Sequence, residues 1–260
     1  MFLFDKGKNF DLMENINKLN IDNLTSLWTK VGQAVGHYMS ENEYELSLVQ
    51  NSEWPNKIWI KQAPTNELLI GISQRMASCE QHLVFPLWNI YPTEGSEIIP
   101  ADFIQKSVQT GMSLQLEEPF PSSSSLTFKR VSTTAEAKLW AEIYPKCFGY
   151  MIGEEILIRT MDKIEYNLFH FNDELVGTAI YYPNEQVAGI HGVGVVPEMR
   201  RRGFAEEIMY ILLNRAITAG ISYATLQASE LGKGIYKRLG FSEDFIIKNY
   251  VLNSITKSSL

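Results

Sequence analysis

The segment best suited to chemistry is a basic turn followed by small residues, at positions 200–206. A β-branched run that stops at Pro197 precedes this turn, and an apolar stripe with helical spacing follows it. The first amides of a helix lack partners within the helix, and the helix dipole favours an anion there. Small residues let the backbone approach a bulky anion, while arginines add charge-assisted hydrogen bonds. The segment therefore predicts a cradle for a pyrophosphate, built from Arg200, Arg201, Arg202, Gly203, Phe204, Ala205 and Glu206.

Two other interpretations of this segment have to be weighed. A dinucleotide site would require G-x-G-x-x-G soon after a strand, and that spacing is absent here. An ordinary strand–loop–helix unit with surface arginines would look similar, because short glycine-containing motifs often occur by chance. A second segment at a compatible distance is needed to separate the two.

Residues 229–241 are that second segment, and the two together resemble the coenzyme A motifs of the GNAT superfamily of N-acetyltransferases. The superfamily's first motif, Arg/Gln-x-x-Gly-x-Gly/Ala after V-x-P, matches Arg200, Gly203 and Ala205. Its later motif matches Tyr236 and the pair Gly240–Phe241. This sequence departs from the later motif at two positions, where Ser229 replaces the usual asparagine and Gly232 the usual alanine.

The resemblance implies where acetyl-CoA would bind. Family members hold it where the fourth and fifth strands of their sheet splay apart. By position, the backbone of Val193, Gly194 and Val195 would contact the pantetheine arm, and the amides of residues 201–206 would surround the pyrophosphate. Ser229 and Gly232 would lie along the same arm, where the serine side chain has a shorter reach than the usual asparagine. No metal is implied.

The same resemblance assigns the catalytic candidates. Tyr236 stands where the family commonly places a tyrosine near the thioester sulfur, so it is the expected general acid. The family's usual carboxylate at the fifth strand is missing, because residues 223–227 are uncharged. His191, on the strand that leads to the cradle, has a pKa suited to accepting a proton near neutrality and is the candidate base. Glu230 acting through a water chain is the alternative.

These observations predict an enzyme that transfers an acetyl or short acyl group from a coenzyme A thioester to a primary amine. The acceptor could be a small molecule, an amino acid or a protein. The alternative is a non-catalytic acyl-CoA sensor or interaction module that keeps the cradle but not the turnover. The missing carboxylate and Ser229 favour the sensor, whereas Tyr236 favours the enzyme.

The pattern of elements after residue 125 supports the GNAT fold class, an α/β mixed and mostly antiparallel sheet flanked by helices. Strands are predicted at residues 126–131, 166–171, 175–182, 187–196, 223–227 and 241–252. Helices are predicted at residues 135–144, 153–162, 203–219 and 234–239, the first stopping before Pro145.

The chain divides at a segment rich in proline and serine, residues 117–125. We expect an N-terminal α/β domain over residues 1–120 and the acetyltransferase domain over residues 126–260. In the first, residues 11–39 and 101–109 are predicted as helical, and residues 44–49, 57–60 and 112–116 as strands. Our hypothesis is that this half is a diverged GNAT-like unit without cofactor that shapes the acceptor cleft.

Composition limits the remaining function classes. The 260 residues are 45% hydrophobic and 20% charged, as in folded globular proteins. A net charge of −7 argues against nucleic acid or an anionic membrane as partner. No signal peptide or membrane span is visible. Cys79 and Cys147 show no metal-ligand spacing, and two cysteines do not make a disulfide framework, so free thiols are expected. We expect a cytoplasmic protein, and these observations allow a homodimer.

Overall fold

The computed structural model describes residues 6–90, 99–122 and 125–253. The first half contains α1 (Lys6–Val35), β1 (His37–Ser40), β2 (Tyr44–Leu48), β3 (Lys57–Ile60), α2 (Asn66–Ala77), β4 (Phe85–Trp88) and β5 (Phe103–Gln115). The second half begins with β6 (Thr127–Arg130), α3 (Thr134–Phe148), α4 (Glu154–Thr160), β7 (Glu165–Phe171) and β8 (Glu174–Pro183). It continues with β9 (Val187–Val195), a 3₁₀ turn (Pro197–Met199), α5 (Phe204–Thr218), β10 (Tyr223–Ser229), α6 (Lys233–Arg238) and β11 (Ser242–Leu252).

One eight-stranded sheet dominates the fold, in the order β4-β11-β5-β10-β9-β8-β7-β6. Only β9 and β10 pair in parallel in this sheet, as far as the described residues show, and its other pairs are antiparallel. The predicted α/β class with a mixed, mostly antiparallel sheet is confirmed. A smaller sheet, β1-β2-β3, belongs to the first half.

The predicted linker joins two halves that share this sheet. Strand β5, which precedes the linker, pairs with β10 on one edge and β11 on the other, so it lies inside the sheet of the second half. Ser123 and Ser124 of the linker lie outside the described residues. The division into domains 1–120 and 126–260 stays a prediction, whereas the continuity of the sheet is observed.

Helices cover both faces of the sheet. Tyr181 of β8 belongs to the core cluster that contains Ile208 and Leu212 of α5. Its neighbour Ile180 belongs to the cluster with Trp140 of α3, Leu157 of α4 and Leu27 of α1. Successive strand residues point to opposite faces, so α5 covers one face and α1, α3 and α4 the other.

Three local predictions are wrong. Residues 101–109 are predicted as helical, but residues 103–109 form the first part of β5, because pairing with β11 outweighs local propensity. Helix α3 continues through Pro145 and ends before Gly149, whose left-handed conformation caps it. Helix α1 ends at Val35, and Met39 lies in β1. The predicted start of α3 is confirmed: the Thr133 side chain accepts from the Glu136 amide in a capping box.

No described helix combines the length and apolar character that a membrane crossing requires. Likewise, no group of three or more histidine, cysteine, aspartate or glutamate side chains in residues 6–90, 99–122 and 125–253 could hold a metal ion.

Candidate functional site

Strands β9 and β10 separate after a short parallel pairing. Tyr223–Thr225 pair with Val187–Gly189, and the pairing stops there. Beyond that point β9 follows β8 as far as Val195, while β10 follows β5 as far as Ser229. The two strands diverge because each keeps its outer partner, so a V-shaped gap with unpaired backbone edges opens between them. The resemblance implied such a gap for acetyl-CoA.

A β-bulge in β9 changes the direction of the side chains on that side of the gap. Thr178 of β8 faces Gly194 and Ile180 faces His191, so Gly192 and Val193 together lie opposite one residue. Gly192 has a φ of +55°, which favours glycine, and a Cβ there would lie 3.1 Å from Cε2 of Tyr144. Bulges are frequent next to active sites because they redirect side chains. Here the bulge interrupts the alternation of side-chain directions between His191 and Gly194.

The segment predicted to form the pyrophosphate cradle lies at the start of α5. Gly203 is the N-cap of α5, with a left-handed φ of +83°, and Arg201 has a φ of +63°. The amides of Glu206 and Glu207 donate to the Gly203 carbonyl. The amides of residues 201–205, in contrast, make no hydrogen bond within the described part of the chain. A Cβ on Gly203 would meet no atom within 4 Å, so open space lies beside these donors.

The three arginines have different surroundings. Arg200 donates from Nε to the Val195 carbonyl (3.0 Å) and from Nη2 to the Cys147 carbonyl (3.1 Å), which ties β9 to the end of α3. The guanidinium of Arg202 lies 5.0 Å from the Phe171 ring centre and 4.9 Å from that of Phe204. Arg201 is exposed. Of the three, Arg201 is the arginine least committed to neighbouring groups.

The last cradle residue, Glu206, is engaged within α5. Its carboxylate accepts from the Tyr210 hydroxyl at 2.6 Å and lies 3.9 Å from Nη2 of Arg238. Its amide is already bonded to Gly203. These contacts neutralise part of its charge near the helix start, where a phosphate would otherwise meet a carboxylate.

The end of β10 brings three predicted residues together. Ser229 Oγ accepts from the Gly232 amide at 3.3 Å, and a Cβ on Gly232 would lie 3.5 Å from Cε2 of Tyr236. The Tyr236 ring meets the Phe241 ring edge to face at 5.9 Å. Its hydroxyl bonds to no other described residue, and burial raises the pKa of Tyr236 to about 12. The phenol is therefore protonated at neutral pH and available as a donor.

His191 bridges towards the first half of the chain. Its Nδ1 lies 3.1 Å from Oε1 of Gln227 on β10, and its Nε2 lies 3.2 Å from Oδ1 of Asn23 on α1. Burial lowers the pKa of His191 to about 4, and the hydrogen bond with Gln227 opposes that shift. Glu230, the alternative base, is exposed and forms an ion pair with Lys233 at 3.1 Å.

Sequence reasoning missed Asn20 and Asn23, the asparagines that reach this site from α1. Their side chains are 0% and 1% exposed. The available signal was a pair of asparagines, three positions apart, among buried apolar residues of the same helix such as Leu24 and Leu27. Buried polar groups need partners, so such a pair indicates a polar contact within the core.

A cavity of about 810 Å³ lies elsewhere, and its lining includes His37, Asn51, Met151 and Glu154. It is formed by residues of both halves but by none of the predicted cofactor-binding residues. The gap between β9 and β10 therefore remains the candidate site, because His191 and Gln227 lie on the two strands that border it and the segment at 200–206 and Ser229 lie at the ends of those strands.

Comparisons with known proteins bear on the family and the fold. Residues 137–241 match the model of the acetyltransferase (GNAT) family. No curated protein matches the sequence. Among solved structures, the chain is similar to a GCN5-related N-acetyltransferase from Kribbella flavida, with 16% identity and a TM-score of 0.63, covering 87% of this chain and 96% of that one. It is also similar to one from Sphaerobacter thermophilus, with 15% identity and a TM-score of 0.56, covering 80% of each chain.

The family match confirms the resemblance: the second half of the chain carries a GNAT acetyltransferase domain. At identities of 16% and 15% the two structures show the fold alone. Because they cover most of the chain, that shared fold extends into the first half.

Proposed function

We propose that this GNAT domain is an active acyl-CoA-dependent N-acyltransferase, which moves an acetyl or short acyl group to a primary amine of a small molecule, amino acid or protein. The observation that carries the proposal is the V-shaped gap between β9 and β10 with the free amides of residues 201–205 directly after β9. A gap with unpaired backbone edges suits an extended amide-containing arm, and a ring of free N–H groups suits a diphosphate.

The residues present fit acetyl-CoA. The amides of residues 201–205 and the Arg201 side chain would hold the pyrophosphate, in the open space beside Gly203. The edges of Val193, Gly194 and Val195 would contact the pantetheine arm, with Ser229 and Gly232 on the opposite side. The Val195 carbonyl already accepts from Arg200, whereas Val193 lies in the bulge.

The chemistry requires two proton movements. The amine nitrogen attacks the thioester carbonyl carbon, a C–N bond forms, the C–S bond breaks, and the thiolate leaves. His191 is neutral above its lowered pKa and accepts the proton that the amine loses. Tyr236 donates its hydroxyl hydrogen to the departing sulfur, since its raised pKa keeps the phenol protonated.

We propose that coenzyme A binds once per chain, because residues 1–120 contain no second cradle motif. In this proposal the first half shapes the acceptor cleft as a diverged GNAT-like unit. The protein would act in the cytoplasm, without nucleic acid or membrane as partner, as a monomer or a homodimer.

A non-catalytic acyl-CoA sensor is the second candidate. One observation favours it: both ring nitrogens of His191 already face amide oxygens, so its access to an acceptor amine is limited. A thiol-release assay over a panel of amines separates the candidates. Turnover with any amine supports the enzyme, whereas tight acetyl-CoA binding with no turnover supports the sensor.

The cradle is tested by Gly203→Glu, because a carboxylate there would occupy the space next to the free amides. We expect titration calorimetry to show loss of acetyl-CoA binding. Gly220→Glu is the matched control: Gly220 follows the other end of α5, has a φ of +75° and also faces open space. It carries the same backbone strain and added charge but should leave affinity unchanged. Equal affinity in both variants would contradict the cradle.

A further inference from the structure

Two buried asparagines of α1 are held in fixed orientations at the gap. Nδ2 of Asn23 donates to the Tyr182 carbonyl at 2.9 Å. Nδ2 of Asn20 donates to the Met112 carbonyl at 3.1 Å and lies 3.5 Å from the Leu226 carbonyl oxygen. A main-chain carbonyl can only accept, so in each amide the nitrogen must face the backbone. The oxygen of each asparagine is thereby directed at the polar cluster around His191.

The fixed orientation of Asn20 also fixes that of Gln227, which contacts the imidazole of His191. Oδ1 of Asn20 accepts from Nε2 of Gln227 at 2.6 Å, which leaves Oε1 of Gln227 facing Nδ1 of His191. Oδ1 of Asn23 faces Nε2 of the same ring. Both ring nitrogens of His191 therefore face oxygen acceptors. Asn23 cannot turn over without losing its bond to the Tyr182 carbonyl, and Gln227 cannot turn over without losing its bond to Oδ1 of Asn20.

Gly189 makes this contact possible. A Cβ atom at Gly189 would lie 1.9 Å from Oδ1 of Asn23 and 2.7 Å from Nε2 of His191. Such distances are far below normal contact, so any side chain here would separate the asparagine from the imidazole. The close approach of α1 to β9 thus depends on the missing side chain.

The arrangement has a consequence for protonation. A neutral imidazole carries one N–H and satisfies one of the two acceptors, whereas an imidazolium carries two and satisfies both. Hydrogen bonding to the charged form stabilises it, which opposes the effect of burial on the pKa of His191.

The titratable groups on the packed elements are engaged elsewhere. The Tyr144 hydroxyl on α3 bonds that of Tyr150, and Lys30 on α1 lies over the ring of Tyr182 on β8. No carboxylate within the described residues forms an ion pair with His191. The two neutral amides are therefore the groups that favour its charged form.

We propose that Asn23, together with Gln227, is a positioning residue that stabilises the imidazolium of His191 formed during acyl transfer. The proton leaves the amine nitrogen as its bond to the acyl carbon forms. It joins Nδ1 of His191 after the amine displaces the partly exposed Gln227 from that nitrogen, while Nε2 keeps its hydrogen bonded to Asn23. Both N–H groups then donate to the waiting amide oxygens. This inference rests on the proposed function for the role of His191 as base, and it makes the first half of the chain part of the catalytic centre.

The test is an NMR titration of the His191 ring in the full chain, with the resonance assigned by its loss in His191→Gln. Removing one acceptor should destabilise the imidazolium, so Asn23→Leu and Gln227→Leu should each lower the pKa of His191 by about one unit. Asn23→Asp should raise it, because a carboxylate favours the charge more than an amide does. Asn249→Leu is the control for general loss of stability, since Asn249 is also buried but bonds Gln109 instead.

The outcomes separate this inference from the proposed function. Lowered pKa values with no turnover on any amine would support the positioning role of Asn23 and Gln227 and reject the proposed enzyme. Turnover with an unchanged pKa in both leucine variants would overturn the positioning role and leave the proposed enzyme standing. In an active protein, the acid limb of kcat/KM should move to lower pH by the same amount as the NMR pKa. If Asn23→Leu does not fold, the partly exposed Gln227 carries the test alone.

Discussion

Helix α3 rests directly on the splayed half of β9 at Gly194 and Cys147: a Cβ atom on Gly194 would lie 2.6 Å from the Cβ atom of Cys147. The same added atom would lie 2.5 Å from Cε2 of Phe148. Arg200 reinforces the contact by donating to the Cys147 carbonyl. The last turn of α3 therefore borders the gap proposed for the pantetheine arm, and its position depends on a residue without a side chain.

Gly194→Ala tests that contact. We expect it to lower the free energy of unfolding by roughly 1–3 kcal/mol, as overpacking commonly does, and to weaken acetyl-CoA binding by displacing α3. Gly71→Ala is the control, because Gly71 lies in α2 with no atom within 4 Å of an added Cβ. It should stabilise the protein by up to about 1 kcal/mol through helix propensity. Denaturant unfolding and calorimetry measure both effects, and unchanged stability in Gly194→Ala would refute the close packing.

Arg200 and Arg201 should behave differently although they are neighbours. Arg200→Ala removes two bonds to main-chain carbonyls and should cost roughly 1–2 kcal/mol of stability. Arg201→Ala should leave stability within about 0.5 kcal/mol but weaken acetyl-CoA binding, more so at low salt. Thermal unfolding and binding titrations at two salt concentrations distinguish them. Identical behaviour of the two variants would contradict the assignment.

Tyr236→Phe should reduce turnover more than affinity. Loss of the general acid should lower kcat by about 100-fold, with KM for acetyl-CoA changed little. Tyr38→Phe is the control, since it removes a hydroxyl that bonds Glu45 in the first half and neither residue is a predicted site residue. Steady-state kinetics over an amine panel provides the comparison. An equal loss in kcat and affinity would assign Tyr236 a binding role instead.

Lys57 should lower the free energy of unfolding in a pH-dependent way. Burial and the nearby charge of Lys106 lower the pKa of Lys57 to about 7, and its Nζ lies 5.6 Å from the Trp28 ring centre. The folded pKa is below the unfolded value, so folding is penalised at and below pH 7, and the penalty fades as pH rises towards the unfolded value. Lys57→Met should therefore raise the free energy of unfolding by roughly 2 kcal/mol at pH 7. Denaturant unfolding at pH 7 and pH 10 should show this gain shrinking, and a constant gain would contradict a buried ammonium.

Much of the second half could be predicted because its signals are local. The Asn172–Asp173 turn, with positive φ at both residues, follows from residue types that tolerate that conformation. The α3 capping box and the start of α5 at Gly203 likewise depend on residues within one turn of each other. The prediction failed at residues 101–109, where pairing with a strand more than a hundred positions away decides the conformation.

The sequence by itself determined the strand–turn–helix of β9 and α5, and it identified Gly203, Tyr236 and His191 as candidate site residues, because these features depend on neighbours along the chain. Only the tertiary structure decided that Asn23 faces His191 and that β5 lies between β10 and β11. Both depend on packing between segments that are far apart in the chain. The free energy of burying apolar surface is non-directional, so a local sequence pattern does not specify which segments will meet. The involvement of the first half in the candidate site is for that reason a property of the folded chain.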